Sequence, residues 1–133
     1  MRKFDVVALA VILLIAAGLR VWAPWDDVFP STALRAGAPR VNFLETDAWY
    51  HVRLAESQVR NFPHRVTIDP YAAPDGQYVA VAPLLDTIIS TAAFVTRGRN
   101  APTPYIERVA ALVPAIVGVL AVLAVWALSL IHI

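Results

Sequence analysis

Two long apolar runs, one near each end of the chain, constrain its fold more than any other feature. They extend over residues 4–23 and 105–131. At a rise of ~1.5 Å per residue, each is long enough as a helix to cross the ~30 Å hydrocarbon core of a bilayer. A soluble chain with 59% hydrophobic and only 16% charged residues would have too little polar surface to cover a core. The sequence therefore predicts an integral membrane protein with two transmembrane helices.

The first apolar run follows two basic residues, and a signal peptide has the same arrangement. However, Arg20 and Trp22 stand where a small-residue cleavage site would be expected, and such residues are typical of an interfacial anchor. We therefore interpret the run as an uncleaved helix. By the positive-inside rule, Arg2 and Lys3 place residues 1–3 in the cytoplasm.

The second apolar run has a clear start and an abrupt end. Thr103 can cap a helix, and Pro104 suits its first position. Pro114 lies inside the run, where membrane helices tolerate proline if neighbours satisfy the freed carbonyl. The sequence then stops without a charged anchor, so we expect this chain to be the N-terminal part of a longer protein.

The segment between the two spans, residues 24–104, is too long and too patterned for a simple connector. Apolar residues at helical spacing predict one helix at about 47–61 and another at about 83–97. Between them, Asp69-Pro70 and Pro74-Asp75-Gly76 predict turns. The predicted architecture is all-α, with two transmembrane helices flanking a large helical external loop.

Residues 79–96 leave the topology open, because this stretch is long enough for a short third span. Asp86 lies in its middle, and an aspartate there costs several kcal/mol on insertion scales, about +2.5 to +3.5. Polar residues on one side, Asp86 and Ser90 among them, are typical of a helix lying along a membrane surface. The residues alone slightly favour the surface helix over the third span.

Charge and cysteine content exclude several classes of function. Eleven basic and ten acidic residues give a formal net charge of +1, so we expect no nucleic-acid partner. The chain has no cysteine, which rules out disulfides, thiolate chemistry and cysteine-based zinc sites. No P-loop, glycine-rich phosphate cradle or Ser-His-Asp arrangement is present in the sequence.

The densest polar and aromatic cluster of the chain lies at residues 42–53. Asp47 and His51 are four residues apart, so a helix places them on one face, within reach of a single divalent cation. Carboxylate oxygens suit Mg²⁺ or Mn²⁺, and an imidazole favours the latter. The alternative is structural: Asp47 caps the helix and His51 is an exposed polar residue.

The cluster resembles the first external loop of the catalytic subunit of oligosaccharyltransferases, membrane enzymes of N-linked protein glycosylation. The likeness includes several ordered segments: Glu45-Thr46-Asp47-Ala48-Trp49-Tyr50-His51-Val52-Arg53, Ile68-Asp69-Pro70-Tyr71, Pro74-Asp75-Gly76-Gln77-Tyr78-Val79, Ala82-Pro83-Leu84-Leu85-Asp86 and Glu107-Arg108-Val109-Ala110-Ala111-Leu112-Val113-Pro114-Ala115-Ile116-Val117-Gly118. It covers nearly the whole chain in order and spacing.

The resemblance implies the N-terminal part of a type C glycosyltransferase fold, in a multi-pass membrane protein with its active-site loop on the extracytoplasmic side. It implies a glycosyltransferase that moves a glycan from a lipid-linked oligosaccharide donor to asparagine in Asn-x-Ser/Thr sequons of an acceptor polypeptide. Asp47 matches the catalytic first-loop aspartate that binds the divalent metal, Mn²⁺ or Mg²⁺. His51 matches no established ligand. The resemblance also implies that the helix at 83–97 lies at the membrane surface.

The remaining family motifs, including further carboxylates and a Trp-Trp-Asp-Tyr-Gly run, would lie beyond Ile133. We therefore expect this chain alone to be inactive. Two alternatives stay open at this point. One is another glycosyltransferase of the same fold that uses a lipid-phosphate sugar. The other is a non-catalytic membrane subunit whose external loop binds partners.

Overall fold

The computed structural model describes residues 3–30, 41–72 and 74–131, and these residues are mostly helical. In chain order, the elements are α1 (Lys3–Ala17), a π-helical segment (Gly18–Trp22), α2 (Trp25–Val28), α3 (Thr46–Asn61), β1 (Ile68–Asp69), β2 (Gln77–Tyr78), α4 (Leu84–Arg97) and α5 (Thr103–Ile131). The chain divides into two compact units. We call residues 1–42 with 111–133 the apolar unit, and residues 43–110 the loop unit.

The helices that were predicted as membrane spans lie in the apolar unit, except for residues 103–110 of α5, which belong to the loop unit. Within the described residues, two helical stretches, Asp5–Val28 and Thr103–Leu130, are long and apolar enough to cross a membrane. The predicted spans, 4–23 and 105–131, fall on these stretches. Arg2, which orients the first predicted span, and the predicted loop at 31–40 lie outside the described residues.

Arg20 lies in the π-helical segment that continues α1. Its guanidinium group lies against Gly118 of α5, where a Cβ atom would be 2.8 Å from the guanidinium carbon. Glycine therefore leaves the space that the Arg20 side chain occupies on the surface of α5. Pro114 lies inside α5 one turn earlier, and the helix continues through it.

The core of the loop unit lies between α3 and α4. Helix α3 begins one residue before its predicted start, and the buried side chains Val52, Ala55 and Val59 lie on its apolar stripe. Ile89 and Ala93 of α4 are buried as well. At the end of α3, Phe62 stacks on Phe94 of α4, with 4.2 Å between the ring centroids. The loop unit thus has a hydrophobic core of its own.

A short antiparallel ribbon corrects the all-α prediction. Ile68 pairs with Tyr78, and Asp69 pairs with Gln77. Gly76 closes the turn with a φ of 80°, a conformation that favours glycine. The turns were predicted, but strands of two residues each are too short to produce a recognisable alternation of polar and apolar residues.

Part of the polar side of α4 faces the interior of the loop unit, whereas Thr87 is exposed. Asp86 is 1% exposed and Ser90 is fully buried, and both contribute to the interior of the loop unit. The Ser90 hydroxyl donates to the Thr87 carbonyl at 3.1 Å. The outward groove of α4 is lined by three apolar and three polar residues: Ile88, Ala92, Val95, Thr87, Thr91 and Thr96. Burial of the Asp86 carboxylate is made less costly by a hydrogen bond to His51 of α3.

Candidate functional site

Asp47 lies in the first turn of α3, at its second residue, and its side chain is 76% exposed. The N-cap position belongs to Glu45, whose side chain makes no capping hydrogen bond. The N-cap alternative for Asp47 therefore does not match the helix as it is built. The Asp47 carboxylate is therefore exposed to solvent near the N-terminus of α3, the positive end of the helix dipole.

His51, one turn further along α3, lies between two carboxylates. Its Nδ1 atom is 2.6 Å from Oδ1 of Asp86, a hydrogen bond between α3 and α4. Its Nε2 atom is 3.8 Å from Oδ2 of Asp47, beyond hydrogen-bond range. The His51 side chain is only 18% exposed, so it is not the exposed polar residue of the structural alternative. The structure brings Asp47 and His51 together as predicted and adds Asp86.

Asp86 was not predicted as part of this site. Its carboxylate is buried, and within the described part of the chain its Oδ2 atom has no hydrogen-bond partner. A buried carboxylate is costly unless it is partnered, so the bond to His51 is a strong constraint on both helices. Thirty-five residues separate the two partners, and no local spacing rule connects residues so far apart.

A second ion pair holds the ribbon to α3. Arg53 pairs with the buried carboxylate of Asp69, which also accepts the backbone N–H of Tyr71 at 3.1 Å. The guanidinium of Arg53 lies 5.1 Å from the ring centroid of Tyr50 and 5.3 Å from that of Tyr71. From the sequence, Asp69 was predicted only as a turn residue, and no partner was predicted for Arg53. Both instead stabilise the part of the loop unit that follows α3.

Three other charged or titratable side chains of the loop unit are exposed. Glu45 is exposed, and so is Asp75 in the turn of the ribbon. His64 is exposed and lines a cleft of ≈ 470 Å³ with Arg65 and Arg99. The structure gives none of these three a contact with Asp47 or His51 among the described side chains.

The donor set around Asp47 fits only part of a divalent cation site. Residues 3–30, 41–72 and 74–131 contain no group of three or more His, Asp or Glu side chains placed to hold a metal ion. One exposed carboxylate is the right chemistry for Mg²⁺ or Mn²⁺, but such ions take about six ligands. The residues present therefore fit a single ligand, Asp47, with the other ligands coming from elsewhere.

Comparison with known proteins gives a consistent picture over most of the chain. No protein-family model matches it. It is 35% identical over 122 residues to dolichyl-phosphooligosaccharide-protein glycotransferase 3 of Archaeoglobus fulgidus, covering 91% of this chain and 13% of that protein. It is 32% identical over 85 residues to dolichyl-monophosphooligosaccharide–protein glycotransferase AglB of Haloferax volcanii, covering 62% of this chain and 8% of that protein.

The fold is similar to solved structures as well. The archaeal oligosaccharyltransferase AglB from Archaeoglobus fulgidus, in complex with an inhibitory peptide and a dolichol-phosphate, matches with a TM-score of 0.78 and 33% identity. The apo form of an Archaeoglobus fulgidus oligosaccharyltransferase matches with a TM-score of 0.77 and 32% identity. The matches cover 91% and 92% of this chain, and in both cases 13% of the solved chain.

Proposed function

Because this chain belongs to the oligosaccharyltransferase family, we propose that it is the N-terminal part of a membrane enzyme that transfers a glycan from a lipid-linked diphosphate donor to asparagine in Asn-x-Ser/Thr sequons. The observation that carries this proposal is the match to archaeal oligosaccharyltransferases over 91% of the chain, in sequence and in fold. The chain spans 13% of the length of those relatives. We therefore expect that it does not act alone.

The proposed arrangement has two membrane spans, with the loop unit on the extracytoplasmic side. Helix α4 supports two spans rather than three, because its 14 residues extend only about 21 Å at ~1.5 Å per residue, against ~30 Å of hydrocarbon. In addition, Asp86 is buried in the loop unit, where one of its carboxylate oxygens bonds His51. This placement of Asp86 supports a helix α4 that packs within the loop unit rather than one that crosses the bilayer.

The proposed role of Asp47 is to bind a catalytic Mn²⁺ or Mg²⁺ ion. Such an ion, when bound, supplies positive charge to offset the charge of the departing diphosphate. Asp47 contributes one anionic oxygen from an exposed position at the start of α3. Its exposure leaves that oxygen free of contacts that would prevent it from binding an ion.

The acceptor presents a second chemical demand. A carboxamide nitrogen is a poor nucleophile because its lone pair is delocalised into the carbonyl. Carboxylates beside the amide can accept hydrogen bonds from its N–H groups and favour a twisted, more reactive amide geometry. In this chain the proposed carboxylate is Asp47, and we expect the others to come from the parts of the complete enzyme that this chain does not include.

The test is Asp47→Asn in the complete membrane enzyme, with a sequon peptide as acceptor. The amide keeps size and hydrogen-bonding capacity but has no formal charge to offset the cation. We expect turnover to fall at least tenfold, ~1.4 kcal/mol or more in barrier. Thermal stability should be nearly unchanged, and part of the loss should be recovered at high Mn²⁺.

The matched control is Glu45→Gln, which removes the charge of an exposed carboxylate two residues away. It should leave turnover within about twofold, because the proposed role needs the carboxylate of Asp47 itself and the Glu45 side chain makes no capping hydrogen bond. Near-normal turnover of Asp47→Asn at limiting Mn²⁺ would contradict the proposed role of Asp47. Glycosylation of a peptide that lacks the sequon threonine would instead favour another glycosyltransferase activity.

A further inference from the structure

The first turn of α3 is not stabilised by a side-chain capping hydrogen bond. The first N–H groups of any helix lack intrahelical partners, and here the N-cap residue Glu45 adds no side-chain hydrogen bond. Glu45, Thr46 and Asp47 are all exposed. Helix ends of this kind open more readily than helix centres. A ligand in this turn therefore depends on contacts made by neighbouring residues.

Two such contacts lie close to the turn. Before it, Phe43 packs edge-on against Trp49 with 4.9 Å between the ring centroids. After it, the His51 ring bonds Asp86 in the first turn of α4. Of the two, the second is directional, because a hydrogen bond fixes the orientation of the ring and of the helix that carries it.

The bond between His51 and Asp86 also determines which ring nitrogen faces Asp47. An ionised carboxylate only accepts hydrogen bonds, so the hydrogen of this bond is carried by Nδ1. Nε2 is then the nitrogen directed towards Asp47, at 3.8 Å from its Oδ2. This distance is too long for a direct hydrogen bond. His51 therefore influences Asp47 through the position of the helical turn that they share.

The burial of Asp86 holds its carboxylate in place, so that it can fix the position of the His51 ring. It is 1% exposed, and in the same helix Ile89 and Ala93 are buried in the core. Moving its carboxylate would expose a buried charge or disturb packed side chains, and both changes are unfavourable. The exposed turn with Asp47 is thus connected by one histidine to the most buried carboxylate of the described residues.

We propose that Asp86 is a positioning residue for the transfer reaction, which fixes His51 and, through it, the first turn of α3 and the direction of the Asp47 carboxylate. Asp86 touches neither the cation nor the substrates. This inference rests on the proposed function, because it assigns Asp86 a role only if Asp47 binds the cation. It predicts that the effect of Asp86 on cation affinity depends on a donor at the Nδ1 position of residue 51.

The experiment measures Mn²⁺ affinity of the complete enzyme by electron paramagnetic resonance, together with its thermal midpoint. The variants are Asp86→Ala, Asp86→Asn, His51→Ala and His51→Asn. Asparagine at 51 places an N–H donor near the Nδ1 position, and asparagine at 86 keeps an acceptor oxygen. Ser90→Ala is the control, because Ser90 is equally buried one turn along α4 and bonds only Thr87 in the described structure.

We expect Asp86→Ala and His51→Ala to weaken Mn²⁺ binding about tenfold or more. Asp86→Asn and His51→Asn should stay within about threefold of the unaltered enzyme, since both keep the interhelical hydrogen bond. Ser90→Ala should change Mn²⁺ affinity by less than about twofold. If Asp86→Ala does not yield a folded enzyme, the two His51 variants and Asp86→Asn decide the question.

Two results would overturn the inference. One is unchanged Mn²⁺ affinity in folded Asp86→Ala and His51→Ala enzymes, even with a lower thermal midpoint, because the pair would then serve stability alone. The other is an equal loss in His51→Asn and His51→Ala, which would make Nε2 itself a cation ligand. Asp47→Asn separates this failure from that of the proposed function: if it leaves Mn²⁺ affinity unchanged, the cation role of Asp47 is wrong.

Discussion

The apolar unit and the loop unit differ in where their hydrophobic side chains lie: mostly exposed in the first, and buried between helices in the second. In the apolar unit, large side chains such as Leu14 and Leu19 are exposed, and no described side chain of α1 is buried. In the loop unit, Ala55 and Val59 are fully buried between two helices. An exposed apolar surface of the first kind matches a lipid environment or a covering protein surface, whereas the second arrangement is suited to water.

The two units also treat polar groups differently. The loop unit buries the carboxylates of Asp69 and Asp86 and partners them with Arg53 and His51. The described part of the apolar unit buries no charged side chain, and Arg20 is exposed. Precise polar contacts are therefore concentrated where the candidate ligand lies. A site that must hold a charged group in a fixed direction needs such contacts, and an apolar anchor does not.

The largest expected difference between the units is in access from water. The chain has no cysteine, so single cysteines in place of Glu45 and Asn100 each add one thiol to this part of the enzyme, and the unaltered enzyme gives the background labelling. Both residues are exposed, and they precede α3 and follow α4. If the loop unit is external, both should react completely with an impermeant thiol reagent added to intact cells. Labelling of the Glu45→Cys variant alone would mean that α4 crosses the membrane and that the two-span topology is wrong.

The comparison also shows what a sequence can predict. The apolar helices were found because hydropathy is a local property, and their bounds differ from the predicted spans by a few residues. Helix α3 was found because its apolar stripe repeats within one segment. The contacts of Asp86 and Asp69 were missed because their partners are 35 and 16 residues away. Asp47 came from the family resemblance, and its role as a ligand stays a prediction.

The next largest effect is expected for the ion pair that holds the ribbon. Arg53→Ala would leave the buried Asp69 carboxylate without its cation, at a cost of about 2–3 kcal/mol to the ribbon. Because the Arg53 side chain is 43% exposed, this is less than a fully buried pair would cost. Hydrogen exchange of residues 65–80 should become roughly 30-fold faster or more.

Arg60→Ala is the control for this prediction. Arg60 pairs with Glu56 at 3.0 Å, but both side chains are partly exposed, 40% and 29%. A surface pair of this kind contributes ~1 kcal/mol or less. Exchange in the ribbon should therefore stay close to that of the unaltered protein. Equal acceleration by both variants would mean that the ribbon depends on general charge rather than on the buried pair.

A smaller effect should distinguish the two kinds of apolar side chain. Val59→Ala removes two methyl groups from a fully buried position in the loop unit and should cost about 1.5–2 kcal/mol. Val125→Ala makes the same change at a side chain of α5 that is 68% exposed, and should change stability by less than about 0.5 kcal/mol. The measurement is the thermal midpoint in one detergent. Equal losses would show that Val125 packs against protein.

The smallest expected effect concerns the contact of Arg20 with Gly118 inside the apolar unit. A Cβ atom at Gly118 would lie 2.8–2.9 Å from three atoms of the Arg20 guanidinium, so Gly118→Ala must displace that group. The guanidinium is the end of a flexible chain and can move, so we expect a loss below ~1 kcal/mol.

In the Arg20→Ala background the clash is gone, and alanine should then stabilise the helix by up to ~1 kcal/mol over glycine. A double-mutant cycle of thermal midpoints would show this change of sign. Gly18→Ala, where the added Cβ has no neighbour within 4 Å, provides the reference for propensity alone. If Gly118→Ala behaves the same with and without Arg20, the two helices make no specific contact there, and the apolar unit is held by its hydrophobic surface alone.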